Sequence, residues 1–149
     1  MDRISPIINQ LRPNASVFFT GQLCTPAAFT EETSGHLHLL KCGTLYLKDS
    51  SGVVQEFSQP TLIFIAKPLH HFLNPGGQST DLICAHINFG NRTNNPVLRS
   101  FPSIVAIPLS SAISLGPLIE IIFHEAFGTH CAKQLALNRL LDYLLILLF

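Results

Sequence analysis

The side chains in this sequence best placed for joint chemistry are His36, His38, His71, Cys84 and His86. His36 and His38 stand two apart in GHLHLL, and Cys84 and His86 two apart in DLICAHINF. On an extended chain each pair therefore shares one face. Imidazole nitrogen mixed with thiolate sulfur suits Zn²⁺, which makes His38, His71, Cys84 and His86 a candidate ligand set. The plainer account is a wall of histidines hydrogen-bonded to backbone or ligand, with Cys84 as a small buried hydrophobe. No spacing here matches a compact zinc motif, which favours the plainer account.

Other chemistry falls away on inspection. His124-Glu125 begins like a zinc-peptidase helix, but Gly128 stands where the second histidine belongs. There is no Gly-x-Ser-x-Gly, no phosphate-cradling glycine loop and no close pair of carboxylates in the strand region. Glu31-Glu32 and Glu56 read as solvated turn and strand positions. No catalytic set is assigned.

The elements that must position the histidines read as strands. Residues 35–75 hold three runs rich in leucine, β-branched and aromatic residues, at 36–40, 44–48 and 61–66. Gly43, the cluster Asp49-Ser50-Ser51-Gly52 and Gln59-Pro60 separate them, the mark of a β-sandwich or barrel. Residues 81–89 form a further strand, with Ile83, Ala85, Ile87 and Phe89 on one face and Leu82, Cys84, His86 and Asn88 on the other. Upstream, 2–11 is an amphipathic helix carrying Ile4, Ile7, Ile8 and Leu11, 16–19 a strand, and 27–29 the start of another. Asn74-Pro75-Gly76-Gly77 is a turn, 90–96 a polar loop, 97–101 a short bridge and 103–109 a last strand.

From 114 the period changes to that of a helix. Leu115, Leu118, Ile119, Ile122 and Ala126 line one side, and Gly128 closes it. A second helix runs from about 132 to the end. Its stripe Leu137, Leu141, Leu144 and Leu148 has the spacing of a packing seam, and Leu140 and Leu147 form a second stripe. One stripe packs on the first helix or the strands; the other is expected to meet its copy in a two-fold contact. The dimer-interface candidates are therefore Leu137, Leu140, Leu141, Leu144, Leu147 and Leu148. Phe149 ends the chain in mid-helix, so the helix is expected to continue into a further domain.

Bulk composition bounds the rest. At 149 residues the chain suits one domain. Only 12% of residues are charged, too few to cover it, so a neighbouring domain or second subunit is expected to share its surface. Nine basic residues balance nine acidic ones, which leaves no electrostatic footprint for nucleic acid within this chain. Four scattered cysteines and an N-terminus without a signal-peptide layout point to reduced thiols in the cytoplasm. No apolar run nears the ~20 residues of a membrane span.

The segments 38–47 and 60–72 together resemble the paired motifs of a cupin, the small double-stranded β-helix barrel. With two helices after it, the whole chain resembles the N-terminal cupin domain of AraC-type bacterial transcription regulators; 137–146 is similar to the helix that leads into their DNA-binding half. The resemblance implies a mainly β fold with C-terminal helices: a barrel over 1–110, then a two-helix antiparallel dimerisation element over 111–149. It implies a small-molecule effector in the barrel, a homodimer, and DNA contact only through a helix-turn-helix domain outside this chain. Candidate effector contacts are His36, His38, Tyr46 and His71. The alternative is a stand-alone metal-dependent cupin enzyme. Against it, His36 falls where the first enzymatic motif has Glu and its upstream His-x-His is missing, although His71 falls on the histidine of the second. No cofactor is expected beyond the zinc already weighed.

Overall fold

Period-two patterning resolves into two antiparallel sheets in the computed structural model, which describes residues 2–11, 13–30, 35–66, 71–77, 79–89 and 100–148. The first sheet has the order β1 (Asn14–Gln22), β8 (Asp81–Asn88), β3 (Gly35–Cys42), β6 (Thr61–Ile65), β9 (Val105–Pro108). The second has the order β2 (Ala27–Phe29), β7 (His71–Pro75), β4 (Leu45–Asp49), β5 (Val54–Phe57). Expectations that fall on 31–34, 67–70 and 90–99, including Glu31-Glu32, Pro68 and the polar loop, lie outside the described residues.

The first sheet is buried on both faces, which is why β3 is buried without a break from Gly35 to Leu40. Leu37, Leu39, Leu62, Phe64, Ile83, Ala85 and Ile87 point to one side and join a core with the helices. Leu40, Ile63, Ile65, Leu82 and Cys84 point to the other and join Leu45, Leu47 and Leu73 of the second sheet. This second core is the barrel interior. Between β3 and β4, Gly43 turns the chain at φ +88° with its backbone against Ser79; a Cβ there would stand 2.2 Å from the Ser79 carbonyl oxygen.

After two short 3₁₀ turns, α2 (Gly116–Ala126) and α3 (Lys133–Leu148) cover the outer face of the first sheet. A short α1 (Ser5–Leu11) precedes the barrel. Its period-3.6 pattern is only partly used: Ile8 is buried, whereas Ile4 and Ile7 are exposed. On α3 the buried face is Leu137, Leu141, Leu144 and Leu145. This corrects the expected dimer interface. Leu137, Leu141 and Leu144 are spent on the chain's own sheet, whose outer face is wide enough to take both helices. Leu140 and Leu148 are partly buried against the same core, and of the six only Leu147, at 44% exposure, faces solvent outright.

Strand β1 is an edge of the first sheet, and α3 lies along it. Gln134, Asn138 and Asp142, spaced by four on α3, meet its backbone. The Gln134 Nε2 donates to the Val17 carbonyl at 2.7 Å, and the Val17 N–H donates to Asn138 Oδ1 at 2.9 Å. The Ala15 N–H donates to Asp142 Oδ1 at 2.6 Å. Four helical residues rise about 6 Å and two strand residues about 6.6 Å, so the two spacings match. The polar side chains of one helix thus satisfy an edge that would otherwise be open to another strand.

Some strand boundaries were not visible in the local pattern. No separate strand is expected at 54–57, where β5 forms, and its residues are exposed or half-buried. Nor is one expected at 71–75: Asn74 and Pro75 read as turn residues, yet they complete β7, and the turn begins at Gly76, whose N–H donates to the Thr44 carbonyl. The last strand is shorter than 103–109, because Pro108 precedes the first 3₁₀ turn.

Candidate functional site

Register brings the histidines together. On the inner face of the first sheet His38 of β3 stands directly opposite Cys84 of β8, and His36 opposite His86. On the second sheet His71 of β7 stands opposite Phe29 of β2. These three cross-strand pairs face one another inside the barrel. His36, His38 and His71 are completely buried.

His38 is the centre of the group. Its Nδ1 lies 3.0 Å from Cys84 Sγ and its Nε2 lies 3.0 Å from His71 Nε2. Sulfur accepts weakly, so the neutral assignment that serves both contacts has the thiol donating to Nδ1 and the Nε2–H donating to His71. The His36 ring lies parallel to His38, 5.9 Å away, and edge-on to His71 at 5.1 Å. Burial, then the neighbouring His71, His36 and His86, hold the His38 imidazole well below its usual value. Burial also pushes the Cys84 thiol strongly up. Both groups are therefore neutral at rest.

Two aromatic rings seal the group. Phe29 stacks on His71 at 4.7 Å, and Phe18 stacks on His86 at 4.1 Å. Phe18 owes its place to a bulge: Val17 pairs with Ala85 and Phe19 with Cys84, so Phe18 is an extra residue in β1. Beyond these rings lies a cavity of about 310 Å³, walled by Phe18, Phe19, Leu23, Phe29, Leu73 and Cys84, with Ala27, Ala28 and Thr25 completing it. Among the described residues no charged side chain and no histidine lines it. A larger groove of about 540 Å³ runs between α1 and α3, but the described residues that line it, Ser5, Pro6, Ile8, Asn9 and Ile146, carry no titratable group.

A family model for cupins matches residues 2–149. The chain belongs to the cupin family. No curated protein matches this cupin. Among solved structures it is similar to ToxT from Vibrio cholerae O395, with a TM-score of 0.49 and 11% identity over 92% of this chain and 52% of that one. It is also similar to ToxT from Vibrio cholerae strain SCE256 with an unsaturated fatty acid bound, with a TM-score of 0.46 and 13% identity over 91% and 52%. The protein YhaK from Escherichia coli is similar with a TM-score of 0.47 and 16% identity over 64% and 43%. The chain spans about half the length of these structures.

Placed in this cupin barrel, the candidate residues divide. His36, His38, His71 and Cys84 meet in the interior, and His86 joins at the edge through His36, at a ring distance of 5.2 Å. Tyr46 does not join them. Leu45 and Leu47 of β4 point into the barrel, so Tyr46 between them points to the opposite face. Tyr46, expected beside the histidines, is therefore not among the residues gathered in the interior. The proposed zinc set also fails to converge. Cys84 and His71 meet opposite ring nitrogens of His38, so one ion bound through His38 cannot reach both. Among the described residues no three His, Cys, Asp or Glu side chains are placed to hold a metal ion. Nor is any helix among them long and apolar enough to cross a membrane.

The residues that sequence reasoning missed are Phe18 and Phe29. Phe29 carries only the signal of a three-residue strand, and its pairing with His71 joins segments far apart in the chain. Phe18 sits next to Phe19 in an apolar run, where period-two reading has to turn one of them away.

Proposed function

We propose that this cupin is the effector-sensing part of an AraC-type transcription regulator, a cytoplasmic binding module rather than an enzyme. The observation that carries the reading is the cavity of about 310 Å³ between the sheets, apolar in its walls and without a charged side chain among the described residues that line it. Such a volume and lining suit a small, mostly apolar molecule fixed by a few polar groups. The sequence resemblance at 38–47, 60–72 and 137–146 supplies the regulatory context. DNA contact belongs to a domain outside this chain, since the charges of this one balance. Association with a second copy falls to the solvent side of α3, where Leu135, Tyr143, Ile146 and Leu147 are exposed.

A ligand that binds only the folded state raises the melting temperature, and the rise grows with the logarithm of its concentration above Kd. Small apolar ketones and carboxylic acids, screened by thermal melting, are expected to include stabilisers. Ala27→Phe, which fills the cavity from its wall, is expected to abolish their effect. In the full-length regulator the same substitution should uncouple a promoter reporter from the ligand. A screen without a stabiliser, or one whose effect survives Ala27→Phe, would sink the reading.

A further inference from the structure

We propose that Cys84 is a covalent capture site for a small, apolar α,β-unsaturated carbonyl compound held in the barrel cavity, with His38 as the base that takes the thiol proton. This rests on the reading of that cavity as a ligand site. Cys84 lines the cavity and at the same time touches the histidine group. Its sulfur stands 3.0 Å from His38 Nδ1, and His38 Nε2 stands 3.0 Å from His71 Nε2. That is the order nucleophile, base and orienting group. Phe29, packed edge-on to His38 at 5.0 Å and stacked on His71, keeps both rings from turning away.

The lining selects the electrophile. A displacement would leave an anion in a cavity whose described lining carries no charged side chain to meet it. Conjugate addition has no leaving group. The sulfur bonds to the β-carbon as the carbon–carbon π pair shifts toward the carbonyl, and His38 Nδ1 takes the thiol proton. The same proton then passes from Nδ1 to the α-carbon, leaving a neutral thioether and a neutral imidazole. No oxidant or reductant is needed. His71 accepts the Nε2–H throughout, which keeps Nδ1 free to act and spreads the charge while the imidazolium lasts. At rest the pair is neutral, so Cys84 is inert until an electrophile lies against it.

Cyclohexenone serves as the probe, cyclohexanone as its saturated partner, and peptide mass spectrometry as the readout. The exposed thiols Cys24, Cys42 and Cys131 are internal references. In the folded chain the Cys84 adduct should form at a rate that saturates with cyclohexenone and is slowed by cyclohexanone, while the reference thiols react linearly and ignore the ketone. His38→Gln should slow Cys84 on the order of 100-fold and leave the references unchanged. If that variant does not fold, saturation and competition in the unmodified chain carry the test alone. Adducts on the exposed thiols with none on Cys84, or a Cys84 rate that is linear and indifferent to cyclohexanone, would overturn the proposal. Cyclohexanone that raises the melting temperature without any Cys84 adduct sinks the capture and leaves the ligand site standing. Neither effect sinks both.

Discussion

Phe29 and His71 stand directly opposite each other on β2 and β7, their rings 4.7 Å apart and within 9° of parallel. One short strand thus presents the ring that closes the histidine group on the cavity side. Truncation at Phe29 removes a core side chain and opens that seal together. Phe29→Ala is expected to cost about 3–5 kcal/mol by chemical denaturation. It should also speed solvent exchange at the His71 ring, read by NMR. A loss under 1 kcal/mol would show that the ring is not packed as described.

The histidine group makes stability depend on pH. The imidazole of His38, facing His71, His36, His86 and Cys84, is held well below its usual value, so it stays neutral in the native state. Once unfolded it takes up a proton below about pH 6.5. The unfolded state then binds more protons, and stability falls as the pH drops. From His38 alone the slope is up to about 1.4 kcal/mol per pH unit, continuing until the pH passes the depressed native value. Above about 6.5 this contribution is complete and flat. Denaturant titrations between pH 5 and 8 should show the slope, and His38→Gln should reduce it. An unchanged slope in that variant would assign the effect to other groups.

The seam between α3 and β1 should be costly to cut. Asn138→Ala leaves the Val17 N–H, part-buried under α3, without its acceptor. The expected loss is about 1–3 kcal/mol. Asp142→Ala should act alike at Ala15, and because both substitutions loosen one shared edge, the double variant is expected to depart from additivity. Strict additivity in a double-mutant cycle would mean that the two bonds hold independently.

Oligomeric state is read most directly from the exposed side of α3. Sedimentation of the chain is expected to show a dimer at micromolar concentration, and Ile146→Lys with Leu147→Lys to dissociate it without loss of melting temperature. A monomer before any substitution would sink the dimer reading. Lysine at Leu144 would instead unfold the chain, because that side chain is fully buried.

Much of the interior was legible from spacing. His36 and His38 share a face, as do Cys84 and His86, because a strand repeats every two residues and nothing interrupts β3 or β8 between them. The same rule, applied to β4, would have turned Tyr46 outward once Leu45 and Leu47 were placed inside. What spacing cannot give is which distant strand lies opposite. The approach of His71 to His38 and of Phe29 to His71 depends on how the two sheets face each other. The buried face of α3 was equally hidden: a helix apolar on nearly every side can turn any of them to the sheet, and the polar trio Gln134, Asn138 and Asp142 decides by needing the β1 backbone.

The bulge at Phe18 has a genetic meaning as well as a geometric one. It is a single codon. Removing it would leave Val17 opposite Ala85 and Phe19 opposite Cys84, with every other pairing of β1 and β8 in step. Most one-residue deletions in a buried strand throw the remaining side chains onto the wrong face, but here the deletion restores an unbroken ladder. The loss would fall on the ring over His86, on its contacts with Phe29 and His36, and on one wall of the cavity. A lineage could therefore gain or shed this wall in one in-frame event while keeping the barrel that holds it.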